Sequence, residues 1–154
     1  MTTIVWDGKT LAADRCRSNT NTVELARKLF DCGEYVYGAV GDMHDAPSVV
    51  RWLRAGAKWE ERPVLDEGGT KGIVVRVRDG ALFIAGGKTV TLAEQPRGPT
   101  AAGSGMDFAL AAMYCGKDAR GAIAVATHFD AFTGKGVDAI DVAKLGKARR
   151  AGRR

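Results

Sequence analysis

The sequence predicts an α+β fold in which strand pairs face one another and helices are segregated from them. Two observations carry that expectation. Short apolar runs recur in pairs across turn residues, at Asp7-Gly8, Asp31-Cys32-Gly33 and Asp79-Gly80. Helical apolar spacing is confined to a stretch after Asp45 and a longer one after Asp107. At 154 residues and 45% hydrophobic, the chain is long enough to bury one true core, and its 27% charged content is ordinary for a globular domain.

Along the chain, Thr2–Trp6 and Lys9–Ala13 form the first strand pair, and Val23–Phe30 with Glu34–Val40 the second. Asp42–Asp45 offers capping residues, Pro47 sits near a helix start, and Val49, Val50, Trp52 and Leu53 make one apolar face that stops at Gly56. Lys58–Lys71 reads as a long polar loop with Pro63, Gly68 and Gly69. Ile73–Val77 and Ala81–Ala85 pair next, with Lys88–Leu92 as a short third strand and Gln95–Thr100 as a connector. Helices follow over Asp107–Tyr114 and after Asp118, whose carboxylate suits an N-cap. The turn Thr133-Gly134-Lys135-Gly136 leads into a last strand, Val137–Val142. No repeat of fixed period is present.

Charge divides the chain in two. Lys144, Lys147, Arg149, Arg150, Arg153 and Arg154 place six cations in the last eleven residues, and subtracting those six from the net +5 leaves the rest at −1. The expected organisation is a globular domain over residues 1–142 and a basic, disordered tail over 143–154. A tail of this kind also suits an acidic partner or nucleic acid, which keeps a small basic binding protein as an alternative.

Other classes are excluded by composition. No apolar run approaches the roughly 20 residues that cross a bilayer, and the start lacks the basic-then-apolar pattern of a secretory signal, so a cytoplasmic location is expected. Cys16, Cys32 and Cys115 are odd in number and show no CxxC spacing, against a disulfide framework or a zinc knuckle. The histidines, His44 and His128, are far apart, so no metal or other cofactor is expected.

The chemistry concentrates at the start, Met1-Thr2-Thr3-Ile4-Val5. With Met1 removed, Thr2 carries a hydroxyl nucleophile and a free α-amine, and the amine can act as base for its own side chain. Its ordinary pKa of about 7.7–8.0 leaves a neutral fraction near pH 7 without a histidine. A chain beginning here would need only methionine removal, with no propeptide to cut.

Five segments repeat a known order: Thr2-Thr3-Ile4-Val5, Leu11-Ala12-Ala13-Asp14, Lys28-Leu29-Phe30, Gly103-Ser104-Gly105 and Asp130-Ala131-Phe132-Thr133-Gly134. Together they resemble the proteasome β-subunit and HslV peptidase family of N-terminal-nucleophile hydrolases, over residues 2 to about 142. The resemblance implies a four-layer αββα sandwich, here with the second long helix of the first helical layer shortened or missing. It implies a threonine-type endopeptidase in which Thr2 is the nucleophile, Lys28 promotes its ionisation, Asp14 orients Lys28, and the Gly41 amide stabilises the oxyanion. Ser104, Asp130 and Thr133 correspond to a polar trio around the terminal amine. Ala39 and Met43, flanking Gly41, correspond to the substrate pocket and suit bulky apolar side chains. The family further implies peptide or unfolded-protein substrates, a homo-oligomeric ring that hides the cleft, and an ATP-dependent unfoldase partner. A catalytically silent scaffold of the same family is a second alternative.

Each residue alone also has a plain structural reading. Asp14 and Asp130 can end elements with a turn, Lys28 can be a solvent-facing strand residue, and Gly41 an ordinary strand-to-helix glycine. Gly103-Ser104-Gly105 can be a plain helix-entry loop.

Overall fold

The computed structural model describes residues 2–18, 22–41, 43–66 and 70–153. The fold is α+β. The strands β1 (Thr3–Trp6) and β2 (Thr10–Asp14) open the chain, followed by β3 (Cys16–Ser18), β4 (Val23–Leu25), β5 (Leu29–Asp31) and β6 (Tyr35–Gly41). Helix α1 (Ala46–Arg54) and a single 3-10 turn at Trp59–Glu61 come next, then β7 (Thr70–Arg76), β8 (Leu82–Gly86), β9 (Thr91–Gln95) and β10 (Thr100–Gly103). Helices α2 (Met106–Tyr114) and α3 (Ala119–Phe129), strand β11 (Val137–Asp141) and helix α4 (Val142–Ala151) complete it.

The strands form two main antiparallel sheets, in the orders β10-β1-β2-β11 and β5-β6-β7-β8-β9, with β3-β4 as a separate ribbon. Period-2 alternation decides what each sheet buries. Ile4, Trp6, Leu11 and Ala13 of the first sheet share one core with Leu29, Val36, Ile73, Val75 and Leu82 of the second. The intervening Val5 and Ala12 point the other way, into a core with Ala109, Met113, Ala122, Ile123 and Ala126 of α2 and α3. On the far side of the second sheet, Tyr37, Val74 and Phe83 pack with Val49, Val50, Trp52 and Leu53 of α1. Gly38 leaves room for the facing sheet: a Cβ there would stand 2.8 Å from Ile4 Cγ2.

The hairpins across Asp7-Gly8, Asp31-Gly33 and Asp79-Gly80 form as the sequence predicts, and Asp118 caps α3 by accepting from the Gly121 amide. Helix α1 has Asp45 at its N-cap without a side-chain cap bond; Asp42, the other expected capping residue, lies outside the described residues, as do Gly68 and Gly69 of the polar loop.

Four expectations change. The predicted strand Val23–Phe30 breaks at residues 26–28, because Val23–Leu25 pairs with β3 while Leu29–Asp31 pairs with β6. The strand expected at Lys88–Leu92 lies three residues later, at Thr91–Gln95. Thr100, expected to end a connector, instead begins the strand Thr100–Gly103, whose pairing with β1 supplies what its own alanines and glycine do not. The stretch expected as a disordered tail is helix α4: Asp141 caps it, Val142 is buried in the inter-sheet core, and Gly146 fits where a Cβ would meet the Val77 carbonyl at 2.7 Å.

Candidate active site

Sheet register builds the site. Because β1 and β2 run antiparallel with Ile4 opposite Ala13, Thr3 starts β1 beside the Asp14 that ends β2. On its other side Thr3 stands opposite Gly103, and Asp14 opposite Val137 of β11. The loop Ser104-Gly105 leaving β10 and the loop Thr133-Gly134 entering β11 therefore arrive at the same end of the sheet. Lys28 comes from the second sheet, in the break before β5, where its carbonyl accepts the Ala39 amide at 2.9 Å.

Among the described residues, the buried polar or charged ones are Thr2, Thr3, Asp14, Lys28 and Thr133. All belong to this one place. Lys28 Nζ donates to Asp14 Oδ1 at 2.7 Å and to the Cys16 carbonyl. The same Oδ1 accepts the Thr3 amide at 2.8 Å, while Oδ2 accepts the Cys16 and Gly134 amides at 2.9 and 3.2 Å. Four donors on one sealed carboxylate satisfy it and fix its orientation. Burial pushes the Lys28 ammonium below its ordinary pKa, and Asp14 only partly offsets this.

A second polar group lies on the helix side of the sheet. The Ser104 amide donates to the Thr2 carbonyl at 2.9 Å. Ser104 Oγ and Thr133 Oγ1 both donate to Asp130 Oδ2, at 2.7 and 2.5 Å. Burial alone would raise Asp130, but these two hydroxyls and the Phe132 amide hold its carboxyl below the ordinary value. The loop glycines are required by space. At Gly103, with φ at 102°, a Cβ would fall 1.7 Å from the Thr2 carbonyl oxygen; at Gly105 it would fall 2.5 Å from Thr3 Oγ1.

Six of the predicted residues, Thr2, Asp14, Lys28, Ser104, Asp130 and Thr133, are thus joined directly or through Thr3. Gly41 closes β6 opposite Thr70, exposed and at φ 96°. Ala39 lies on the face of β6 that packs under α1. Its side chain is buried in that core, and Met43, partly buried, packs against it. Two contributors went unread in the sequence. The Cys16 carbonyl has no side-chain signature. Thr3 had one: period-2 alternation sets it on the face of Val5, toward α2 and α3, opposite to Thr2. Among the described residues no cluster of three His, Cys, Asp or Glu side chains could hold a metal ion, and no helix is long and apolar enough to cross a membrane.

No family model and no curated protein matches the chain. Solved structures do. HslV from Trypanosoma brucei is similar with a TM-score of 0.64 at 23% identity, covering 90% of this chain and 97% of that one. The chain has an HslV-like fold. BPH from Thiobacillus denitrificans is similar in two structures, each covering 90% of this chain. The one in complex with epoxomicin has a TM-score of 0.63 at 18% identity and 96% coverage of that chain. The other has a TM-score of 0.63 at 19% identity and 95% coverage. The resemblance read from the five segments therefore holds at the level of the fold. An HslV-like fold does not by itself assign an activity; that has to come from the site.

Proposed function

We propose that this chain is a threonine-type endopeptidase acting through Thr2 after loss of Met1, on a four-layer αββα frame. The observation that carries the reading is that, among the described residues, the buried polar ones are the first two threonines and three side chains grouped around them. Burying a lysine and a carboxylate together is costly and weak as a source of stability, so their placement beside Thr2 calls for a chemical purpose. The three cores, lying between the sheets and on either side of them, support the layered frame.

The mechanism follows from the two polar groups. Continuing the alternation of Ile4 and Trp6, the Thr2 side chain belongs to the inter-sheet face, the side from which Lys28 approaches. Thr2 Oγ attacks a peptide carbonyl carbon, its proton passing to the α-amine directly or through water. The Lys28 charge favours the developing alkoxide, and Asp14 fixes that ammonium in place. The Gly41 amide supports the oxyanion; a comparable donor lowers such barriers by about 2.7–4 kcal/mol. The amine then protonates the departing amine, leaving an ester on Thr2 that water hydrolyses. Ser104, Asp130 and Thr133 hold the amine on the opposite face. The substrates are peptides or unfolded chains with bulky apolar side chains against Met43.

The same reading includes a cytoplasmic homo-oligomeric ring with an ATP-dependent unfoldase as partner. Support for self-association comes from the outer face of α2 and α3. There Phe108 and Phe129 are 40% and 67% exposed and stack at 5.3 Å beside an apolar groove of about 290 Å³.

The deciding experiment is intact mass of the full chain before and after epoxomicin. Loss of Met1 and a single adduct on Thr2, missing in Thr2→Ala, is the expected result. A chain that keeps Met1, or loses it and takes no adduct at any dose, defeats the proposal and leaves a silent scaffold of the same fold.

A further inference from the structure

We infer that Thr3 is a positioning residue whose hydroxyl and amide tie the two carboxylates of the site, Asp130 and Asp14, to the residue next to the nucleophile. This rests on the peptidase reading and adds a residue that the reading does not use.

The direction of the hydrogen bonds makes the case. Asp130 is held below the ordinary carboxyl pKa, so near neutral pH it is ionised and can only accept. Thr133 has one hydroxyl proton, and it goes to Asp130 Oδ2 at 2.5 Å. The contact of 2.5 Å between Thr3 Oγ1 and Thr133 Oγ1 must then be donated by Thr3. Thr3 Oγ1 in turn accepts the Gly105 amide at 3.0 Å. A one-way chain results, from the Gly105 amide through Thr3 and Thr133 to Asp130, in which each bond polarises the next. The Ser104 hydroxyl closes on the same carboxylate oxygen from the other side.

The backbone of Thr3 serves the other carboxylate. Its amide donates to Asp14 Oδ1, the oxygen that also receives Lys28 Nζ. Thr3 therefore sets the spacing between the lysine that faces the nucleophile's hydroxyl and the trio that faces its amine. The residue is 0% exposed, so solvent has no access to replace a missing partner. Valine is the isosteric test. It keeps the shape, but strands the Gly105 amide and leaves Thr133 without its donor, freeing the Asp130 trio to shift. Misplacing a catalytic group by about 1 Å can cost on the order of 100-fold in rate.

The experiment compares full-length wild type, Thr3→Val and Thr3→Ser for epoxomicin inactivation, read by intact mass and resolved into a maximal rate and a half-saturating concentration. Circular dichroism checks folding. In Thr3→Val the maximal rate should fall roughly 10- to 100-fold while the half-saturating concentration stays within about twofold. Thr3→Ser, which restores the donor, should return to within about threefold of wild type. If Thr3→Val does not fold, Thr3→Ala takes its place in the same comparison. Equal rates in wild type and the hydroxyl-less variant overturn the inference and leave the peptidase reading intact. So does a Thr3→Ser variant as slow as Thr3→Val, because then the lost methyl packing, not the donor, sets the rate. A wild type that takes no adduct defeats both.

Discussion

Two carboxylates of this chain meet a cation at the same distance in opposite surroundings. Asp14 and Lys28 lie 2.7 Å apart with side chains 0% and 1% exposed, where β1, β2 and the break before β5 meet. Asp31 and Arg149 also lie 2.7 Å apart, with side chains 42% and 33% exposed, where α4 closes on the β5–β6 turn. In the surface pair one guanidinium nitrogen, Arg149 Nη2, donates to both Asp31 oxygens, and the pair contributes little that water would not replace. The buried pair has no such substitute, so losing either partner strands a charge. Distance alone does not separate the two pairs. Burial does.

That contrast can be broken in stages. The largest effect is expected from Lys28→Met, which leaves Asp14 with its three amide donors but no counter-charge. Urea denaturation should show a loss of about 3 kcal/mol, and the epoxomicin adduct should disappear. Slightly smaller is Gly103→Ala, which adds no charge but drives a Cβ into the Thr2 carbonyl at φ 102°. A destabilisation of about 2–3 kcal/mol is expected, together with impaired labelling of Thr2.

Protonation sharpens the comparison. Burial, only partly offset by Asp14, puts the folded pKa of Lys28 below 10.5, so the unfolded chain binds that proton more tightly. The contribution of Lys28 to stability should therefore rise as pH climbs from its folded value toward 10.5. Denaturation of wild type in this alkaline window, with Lys28→Met as reference, should show that positive slope. Asp31 behaves oppositely. Burial alone would raise it, but Arg149 and the Gly33 amide outweigh that and hold it below 3.8. Its contribution is complete above the ordinary carboxyl range and is lost as pH falls through its folded value. Arg149→Met should flatten this acid limb. At neutral pH the same variant should cost no more than about 1 kcal/mol, the smallest effect of the series.

Much of the site was legible only through the shared order of five segments. A lysine ahead of Leu29-Phe30, a carboxylate ending Leu11-Ala12-Ala13, and a serine between two glycines each have a plain structural reading alone. Thr3 was passed over because a threonine inside a strand is ordinary, and its importance lies in partners more than 100 residues away. The neighbours of Ala39 along the chain do not reveal which face of β6 it occupies; packing under α1 does. Helix α4, which holds four of the six cations in the last eleven residues, was missed because that basic stretch read as a solvated run. The face that counts, Val142, Leu145, Gly146 and Arg149, is narrow and needs the inter-sheet core, the Val77 turn and Asp31 to give it value.

The sequence by itself determined the hairpins, the cap of α3, the alternation that assigns each strand two faces, and the residue types able to do the chemistry. These depend on turn conformations, local hydrogen bonds and period-2 geometry, which act over a few residues. Tertiary structure decided β10, the break that releases Lys28 from a strand, the ordering of α4, and the convergence of Thr3, Asp14, Lys28 and Thr133. Each of those depends on a partner distant in the chain. Only packing can exclude water from such a place, and only there does a lysine beside a carboxylate depend wholly on its partner, as a surface pair does not.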